Sequence, residues 1–185
     1  MLKCKEFLNE LIVTGLFVGK IKYAPGTFGS LLVLPITVLI ALCGVYIIGG
    51  DYGVCIAQIT AIILLFIVGT IASNNYIRMT GRQDPKEIVI DEIVGQMLTI
   101  LLCLPSLIFI NEGSIDMQNI TAIICLFIMP FALFRLFDIK KPWPINWMDQ
   151  TIHGGLGVML DDIMAALFAS VMHYVLIFLW IDFIK

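Results

Sequence analysis

Five long apolar stretches with few charges dominate this chain of 185 residues. Each is close to the roughly 20 residues that a helix needs to cross the hydrocarbon core of a bilayer, where the backbone must hydrogen-bond to itself. The predicted spans are residues 31–48, 54–72, 93–110, 120–137 and 163–181. A shorter apolar segment, residues 7–18, predicts an interfacial or re-entrant helix before them. The sequence therefore predicts an all-α, polytopic integral membrane bundle of about five transmembrane helices.

Composition agrees with surroundings that are largely lipid. Hydrophobic residues make up 60% of the chain and charged residues 14%, which excludes an ordinary soluble domain. The net charge of -3 and the 11 Lys and Arg provide no basic surface for a run of phosphates, so nucleic acid is excluded as a partner. At this length we expect one domain, residues 1–185, embedded in the membrane, with a membrane phospholipid as its partner. The sequence leaves open whether the chain forms a homo-oligomer.

The distribution of basic residues predicts the orientation, because Lys and Arg in short connections favour the cytoplasmic side. The connections on one side of the spans contain Lys3, Lys5, Lys20, Lys22, Arg78, Arg82, Lys86, Arg135, Lys140 and Lys141. The opposite connections, residues 49–53 and 111–119, contain only acidic charges. We therefore predict a protein of the cytoplasmic (inner) membrane with its N-terminus inside and its C-terminus outside.

Four polar clusters lie at the cytoplasmic ends of these spans. Residues 23–30 lead into the first span, 90–96 into the third and 149–162 into the fifth, and residues 134–144 leave the fourth. Distant parts of the sequence are therefore expected to meet at one depth of the membrane.

The first cluster contains Pro25-Gly-Thr-Phe-Gly-Ser30. A Pro/Gly turn with free backbone N–H groups, together with the hydroxyl of Thr27 or Ser30, can bind phosphate at a helix N-terminus. Alternatively, either residue is an ordinary N-cap and the glycines only allow a tight turn.

The second and fourth clusters each contain two adjacent acidic residues. Asp91 and Glu92 are flanked by Ile and Val, where ionised carboxylates are unfavourable unless they are paired or bind a metal. Asp161 and Asp162 repeat this pattern, which we interpret as oxygen ligands for Mg²⁺. Alternatively, the first pair faces cytoplasmic water and is favoured by the helix dipole.

The third cluster combines both signs of charge. Arg135 and Asp138 are three apart, so both can face one way, with Asp138 joining the metal ligands and Arg135 and Lys141 holding a phosphate. Alternatively, they form a snorkelling anchor and a topology signal. In the fourth cluster, His153 precedes Gly-Gly-Leu-Gly157, a predicted flexible turn, and is either a phosphate ligand, a general acid or a hydrogen-bonding loop residue.

In their order and spacing these motifs resemble the phosphatidylglycerophosphatase A family, membrane lipid phosphatases that convert phosphatidylglycerophosphate to phosphatidylglycerol. The resemblance covers the chain from about Gly15 to its end. It implies Mg²⁺ dependence and a site that faces the cytoplasm. It also implies two groups of site residues: the metal and acid–base carboxylates Asp91, Glu92, Asp138, Asp161 and Asp162, and the phosphate contacts Thr27, Ser30, Arg135, Lys141 and His153.

One segment departs from the family pattern. Ile90 stands in place of an aromatic residue found in some members, and Pro85-Lys86-Glu87 replaces a small polar stretch.

The mechanism predicted from these residues is attack by Mg²⁺-activated water on a phosphomonoester, with no covalent intermediate required. Two other kinds of protein remain as alternatives. A small membrane carrier would use intramembrane carboxylates along its pathway, and a non-catalytic membrane scaffold would use the charges only to fix its topology.

Overall fold

A computed structural model describes residues 2–83, 85–107 and 120–184, and their regular structure is entirely helical. The helices are α1 (Leu2–Val13), α2 (Pro25–Ile47), α3 (Gly50–Thr80), α4 (Ile90–Cys103), α5 (Ile120–Lys140, with a π-helical turn at Ile124–Ile128), α6 (Ile145–Thr151) and α7 (Gly154–Ile184). The prediction of an all-α membrane bundle is confirmed.

Four of the described helices, α2, α3, α5 and α7, are long and apolar enough to cross a membrane. The third predicted span differs, because α4 has 14 residues and at 1.5 Å per residue is only about 21 Å long. Residues 108–110 of that predicted span, and the predicted connection 111–119, lie outside the described residues. Among the described helices, α4 begins and α5 ends at the same end of the bundle.

The short helix α4 lies at the centre of the bundle, in contact with α2, α3, α5 and α7. Val94 and Met97 are fully buried in the main hydrophobic core. At Gly95 an added Cβ would lie 2.7 Å from the Phe134 ring and 3.0 Å from the Asp162 carbonyl oxygen. Glycine at position 95 therefore allows α5 and α7 to approach α4 next to its acidic pair.

The helices α2 and α7 begin well before the residues that the apolar pattern predicts. Helix α2 begins at Pro25 rather than at residue 31, and α7 begins at Gly154 rather than at residue 163. The Pro25–Ser30 motif is therefore the start of a helix, as Pro at the first helical position favours. The prediction of a flexible turn through Gly157 is wrong, because that segment is the first turn of α7. Asp161 and Asp162 consequently lie about two turns inside α7.

The N-terminal segment supports the start of α4. Helix α1 ends at Val13 rather than at residue 18, and residues 15–17 then adopt left-handed φ angles of 52° to 69°. The Val89 N–H donates a hydrogen bond to the Val13 carbonyl at 3.0 Å, and the Asn9 amide donates to the Ala72 carbonyl of α3 at 3.0 Å. These contacts fix the backbone directly before Asp91.

Candidate active site

The four polar clusters surround one cavity of about 710 Å³ at one end of the bundle. Its walls come from α2, the loop before α4, α4 itself, the end of α5, α6 and the start of α7. The predicted site residues that line it are Thr27, Asp91, Glu92, Arg135, Asp138, Lys141, His153, Asp161 and Asp162. The structure thus brings together nine residues from four distant segments, and leaves Ser30 outside the lining.

The charge of this cavity is strongly unbalanced. Its lining contains six carboxylates, those of Asp91, Glu92, Asp138, Asp149, Asp161 and Asp162. Only three lining residues, Lys86, Arg135 and Lys141, are permanent cations at neutral pH. The lining therefore has three excess negative charges if all six carboxylates are ionised, which disfavours an anionic substrate unless protons or a cation compensate them.

Three of the carboxylates, which we call the cation-bound carboxylates, are Asp138, Asp149 and Asp161. Asp138 forms an ion pair with Arg135 one helical turn before it. The Lys141 ammonium contacts both others, with Nζ 2.9 Å from Asp149 Oδ1. These contacts hold the two cations in place at the cavity wall.

Lys141 connects three helices because of its backbone position. It ends α5 in a left-handed conformation, with φ at 41°, directly before Pro142. Its side chain can thereby reach Asp149 on α6 and Asp161 on α7. Burial lowers the pKa of Lys141, but the two carboxylates outweigh burial and raise this pKa above its usual value. Lys141 therefore remains a cation throughout the physiological pH range.

The other three carboxylates, which we call the open carboxylates, are Asp91, Glu92 and Asp162. One oxygen atom of each lies within 4.8 Å of the others. Of these three, only Glu92 lies within ion-pair distance of a described cation, with Oε1 3.8 Å from Arg135 Nη1. Asp91 Oδ1, Glu92 Oε2 and Asp162 Oδ2 are buried and have no hydrogen-bond partner among the described residues.

Three negative charges this close repel one another strongly unless protons or a cation are present. Clustered carboxylate oxygens with free lone pairs are the ligands that Mg²⁺ prefers, and it usually keeps several waters and substrate oxygens as further ligands. The open carboxylates therefore fit a divalent cation. Of the five predicted metal ligands, Asp138 and Asp161 contact Arg135 and Lys141 instead, although Asp138 also lies beside Asp162.

The first turn of α2 approaches the open carboxylates closely. A Cβ atom at Gly26 would lie 1.9 Å from Glu92 Oε1, so any larger residue here would displace the end of the Glu92 side chain. The Thr27 and Phe28 N–H groups donate to the Ala24 carbonyl at 3.0 and 3.3 Å, which engages two of the N–H groups predicted to be free for an anion. The buried Ser30 hydroxyl donates to the Gly26 carbonyl at 3.0 Å and does not reach the cavity.

His153 is exposed at the cavity rim, immediately before α7. The start of this helix is fixed by Asn74 of α3, whose Oδ1 accepts a hydrogen bond from the Gly155 N–H at 2.7 Å. Sequence reasoning did not include Asn74, Asp149 or Lys86 among the site residues. Asp149 lies inside the fourth cluster, which could have indicated it; Asn74 follows the second predicted span, outside the four clusters, and gives no such signal.

Comparison with known proteins gives a consistent result. The family model of phosphatidylglycerophosphatase A matches residues 11–177. Phosphatidylglycerophosphatase A of Haemophilus influenzae is 36% identical over 174 residues, covering 92% of this chain and 90% of that protein. The protein of the same name from Escherichia coli K12 is 31% identical over 163 residues, covering 87% and 78%.

A further relative, from Bacteroides thetaiotaomicron, is provisionally named a phosphatidylinositol-3-phosphatase. It is 32% identical over 171 residues, covering 92% of this chain and 94% of that protein. No solved structure matches the chain.

Proposed function

Because the chain belongs to the phosphatidylglycerophosphatase A family, we propose that it hydrolyses the terminal phosphomonoester of phosphatidylglycerophosphate. The products are phosphatidylglycerol and inorganic phosphate, and the reaction requires Mg²⁺ at the cytoplasmic face of the inner membrane. The observation that carries this proposal is the cavity in which the three open carboxylates lie next to two fixed cations, Arg135 and Lys141.

The excess negative charge of the cavity supports the metal requirement. With all six carboxylates ionised, the three excess negative charges disfavour entry of a phosphate group, and a bound cation would compensate them. Asp91, Glu92 and Asp162 are the residues that would hold Mg²⁺. When bound, the metal ion neutralises phosphate charge and lowers the pKa of a coordinated water.

The protein's own cations have a separate task. Arg135 and Lys141 are held by the cation-bound carboxylates before substrate arrives, so their orientation costs little during the reaction. They neutralise the phosphate oxygens on which charge develops. The Thr27 hydroxyl, at the first turn of α2, donates a further hydrogen bond to the phosphate.

In the reaction a bond forms between the water oxygen and phosphorus, and the bond between phosphorus and the glycerol oxygen breaks. One open carboxylate accepts the water proton. His153 at the rim donates a proton to the departing glycerol oxygen, and the phosphate leaves as a free ion.

The lipid tail has a path to this cavity along α2 and α5. Ile139 of α5 lines the cavity and is 67% exposed. Phe28 and Leu31 of α2 and Leu136 of α5 are also exposed apolar side chains near the same end of the bundle. The acyl chains therefore lie against these side chains in the bilayer while the headgroup enters the cavity. The basic residues at this end of the bundle favour the cytoplasmic side.

The test is phosphate release by the purified protein in detergent, with Mg²⁺ or with EDTA. Phosphatidylglycerophosphate, phosphatidic acid and phosphatidylinositol-3-phosphate are compared in parallel. We expect Mg²⁺-dependent release that is fastest from phosphatidylglycerophosphate. Release that survives EDTA would contradict the metal requirement, and faster release from the inositol lipid would contradict the substrate. No release by folded protein would instead favour a carrier or a scaffold.

A further inference from the structure

The loop between α3 and α4 brings to the cavity a positive charge that has no ion pair among the described residues. Lys86 lines the cavity and its side chain is exposed. The neighbouring charges neutralise each other, because Arg82 Nη2 lies 3.0 Å from Glu87 Oε2. Among the described residues, no carboxylate lies within ion-pair distance of Lys86.

The backbone around Lys86 is held firmly although its side chain is exposed. Pro85 and Ile88 are buried on either side of it. The Glu87 carbonyl lies so close to Gly19 that a Cβ there would be 2.0 Å from its oxygen. The loop is thus packed against the N-terminal segment, and the Lys86 ammonium is presented at a fixed part of the rim.

Lys86 differs from the other two lining cations. Arg135 and Lys141 are in contact with carboxylates, so their charge is largely compensated before any substrate binds. An anion that contacts Lys86 displaces no ion pair seen among the described residues. The cavity therefore has two parts. The inner region, at the open carboxylates, suits a group that binds together with a metal ion, and the rim at Lys86 suits a second, singly charged anion.

We infer that Lys86 forms a second phosphate subsite, which binds the phosphodiester of a phospholipid whose headgroup ends in a phosphomonoester. The inference rests on the proposed function, because it requires the phosphomonoester to occupy the inner region. A phosphodiester has one negative charge and does not react, so a single exposed ammonium matches it. Lys86 thereby distinguishes lipids with two phosphates from lipids with one, such as phosphatidic acid.

This role has a specific kinetic consequence. The phosphodiester is the same in the bound substrate and in the transition state, so its contact with Lys86 stabilises both by the same free energy. Removing the contact raises KM and leaves kcat nearly unchanged. For an exposed ion pair the effect is about threefold to fivefold.

The experiment compares Lys86→Gln with Lys140→Gln as the matched control. Lys140 is exposed at the end of α5 and does not line the cavity. Both variants are assayed with Mg²⁺ in neutral detergent micelles on phosphatidylglycerophosphate and on phosphatidic acid; where phosphatidic acid turns over too slowly, it is used as a competitive inhibitor. We expect Lys86→Gln to raise KM for phosphatidylglycerophosphate about threefold to fivefold and to leave KM, or the inhibition constant, for phosphatidic acid unchanged. Lys140→Gln should change these constants for neither lipid.

An equal effect of Lys86→Gln on both lipids would overturn the subsite, because it would indicate general attraction of anions. An unchanged KM for phosphatidylglycerophosphate, or the same rise in Lys140→Gln, would also overturn it. Folded wild-type protein that releases no phosphate would be a different result: it would refute the proposed function, and the subsite with it.

Discussion

The cation-bound carboxylates and the open carboxylates lie in one cavity but differ in how closely a cation approaches them. Asp161 and Asp162 show the contrast best, because they are adjacent on α7. Asp161 contacts the Lys141 ammonium, whereas Asp162 faces Asp91 and Glu92. Successive residues on a helix point about 100° apart, so neighbours in sequence face different parts of the cavity. The two residues of this acidic pair therefore have different contacts and different expected roles.

The two sets also differ in their effect on folding without a metal. A cation-bound carboxylate stabilises the fold as long as its partner remains, and removing it leaves a partly buried cation with less compensation. The open carboxylates repel one another, so removing one of them relieves repulsion. Substitution of an open carboxylate is therefore expected to lower activity without lowering metal-free stability. Substitution of a cation-bound carboxylate is expected to lower both.

The largest effect is expected for Asp162→Asn. Loss of this oxygen ligand should lower kcat/KM by at least about 100-fold, since even residues behind metal ligands contribute 10-fold to 100-fold. In EDTA the variant should unfold at the same temperature as the wild type or higher, because one repelling charge is gone. Phosphate release and thermal unfolding in detergent check both expectations. A clear decrease in thermal stability without metal would show that Asp162 belongs with the cation-bound carboxylates.

The second largest effect is expected for Gly26→Ala, a substitution on α2 that would displace one of the open carboxylates. The new methyl group would collide with Glu92 Oε1, the end of a flexible side chain that can move without unpacking α2. We expect activity to fall about 10-fold to 100-fold through misplacement of this carboxylate, with normal amounts of protein in the membrane. Activity close to that of the wild type would mean that the position of Glu92 does not matter.

A smaller effect is expected for Asp161→Asn, the matched partner of the first variant. Lys141 keeps Asp149 but loses its more buried contact, so its position is less fixed. Activity should fall about 10-fold and the unfolding temperature in EDTA should decrease, opposite in sign to Asp162→Asn. The same two assays apply. Equal losses of activity in the two variants would remove the distinction between the sets.

The smallest effect is expected for Ser30→Ala. Its hydroxyl donates to a carbonyl of its own helix and lies outside the cavity lining, so it belongs to neither set. Activity should fall less than about threefold, and stability should change little, since removal of one such hydrogen bond has a small net effect. Steady-state phosphate release measures this. A loss of activity comparable to that of Gly26→Ala would instead support the sequence-based prediction that Ser30 contacts the phosphate.

The sequence predicts the bundle and the meeting of the four clusters, because apolar length and the position of charges follow from the bilayer itself. It does not predict which carboxylates are cation-bound. Lys141 reaches Asp161 only because α5 ends in a left-handed residue, and that depends on how three helices pack. Likewise, Gly154 to Gly157 has the composition of a turn, but Asn74 on another helix caps it as the start of α7. Contacts between distant helices decide such roles.

The central claim is that the open carboxylates alone form the metal site. The most direct test is calorimetric titration of Mg²⁺ into the detergent-purified wild type, Asp162→Asn and Asp161→Asn, without substrate. Binding should be retained in Asp161→Asn and weakened at least about tenfold in Asp162→Asn. Equal Mg²⁺ affinity in Asp162→Asn and the wild type would contradict the claim.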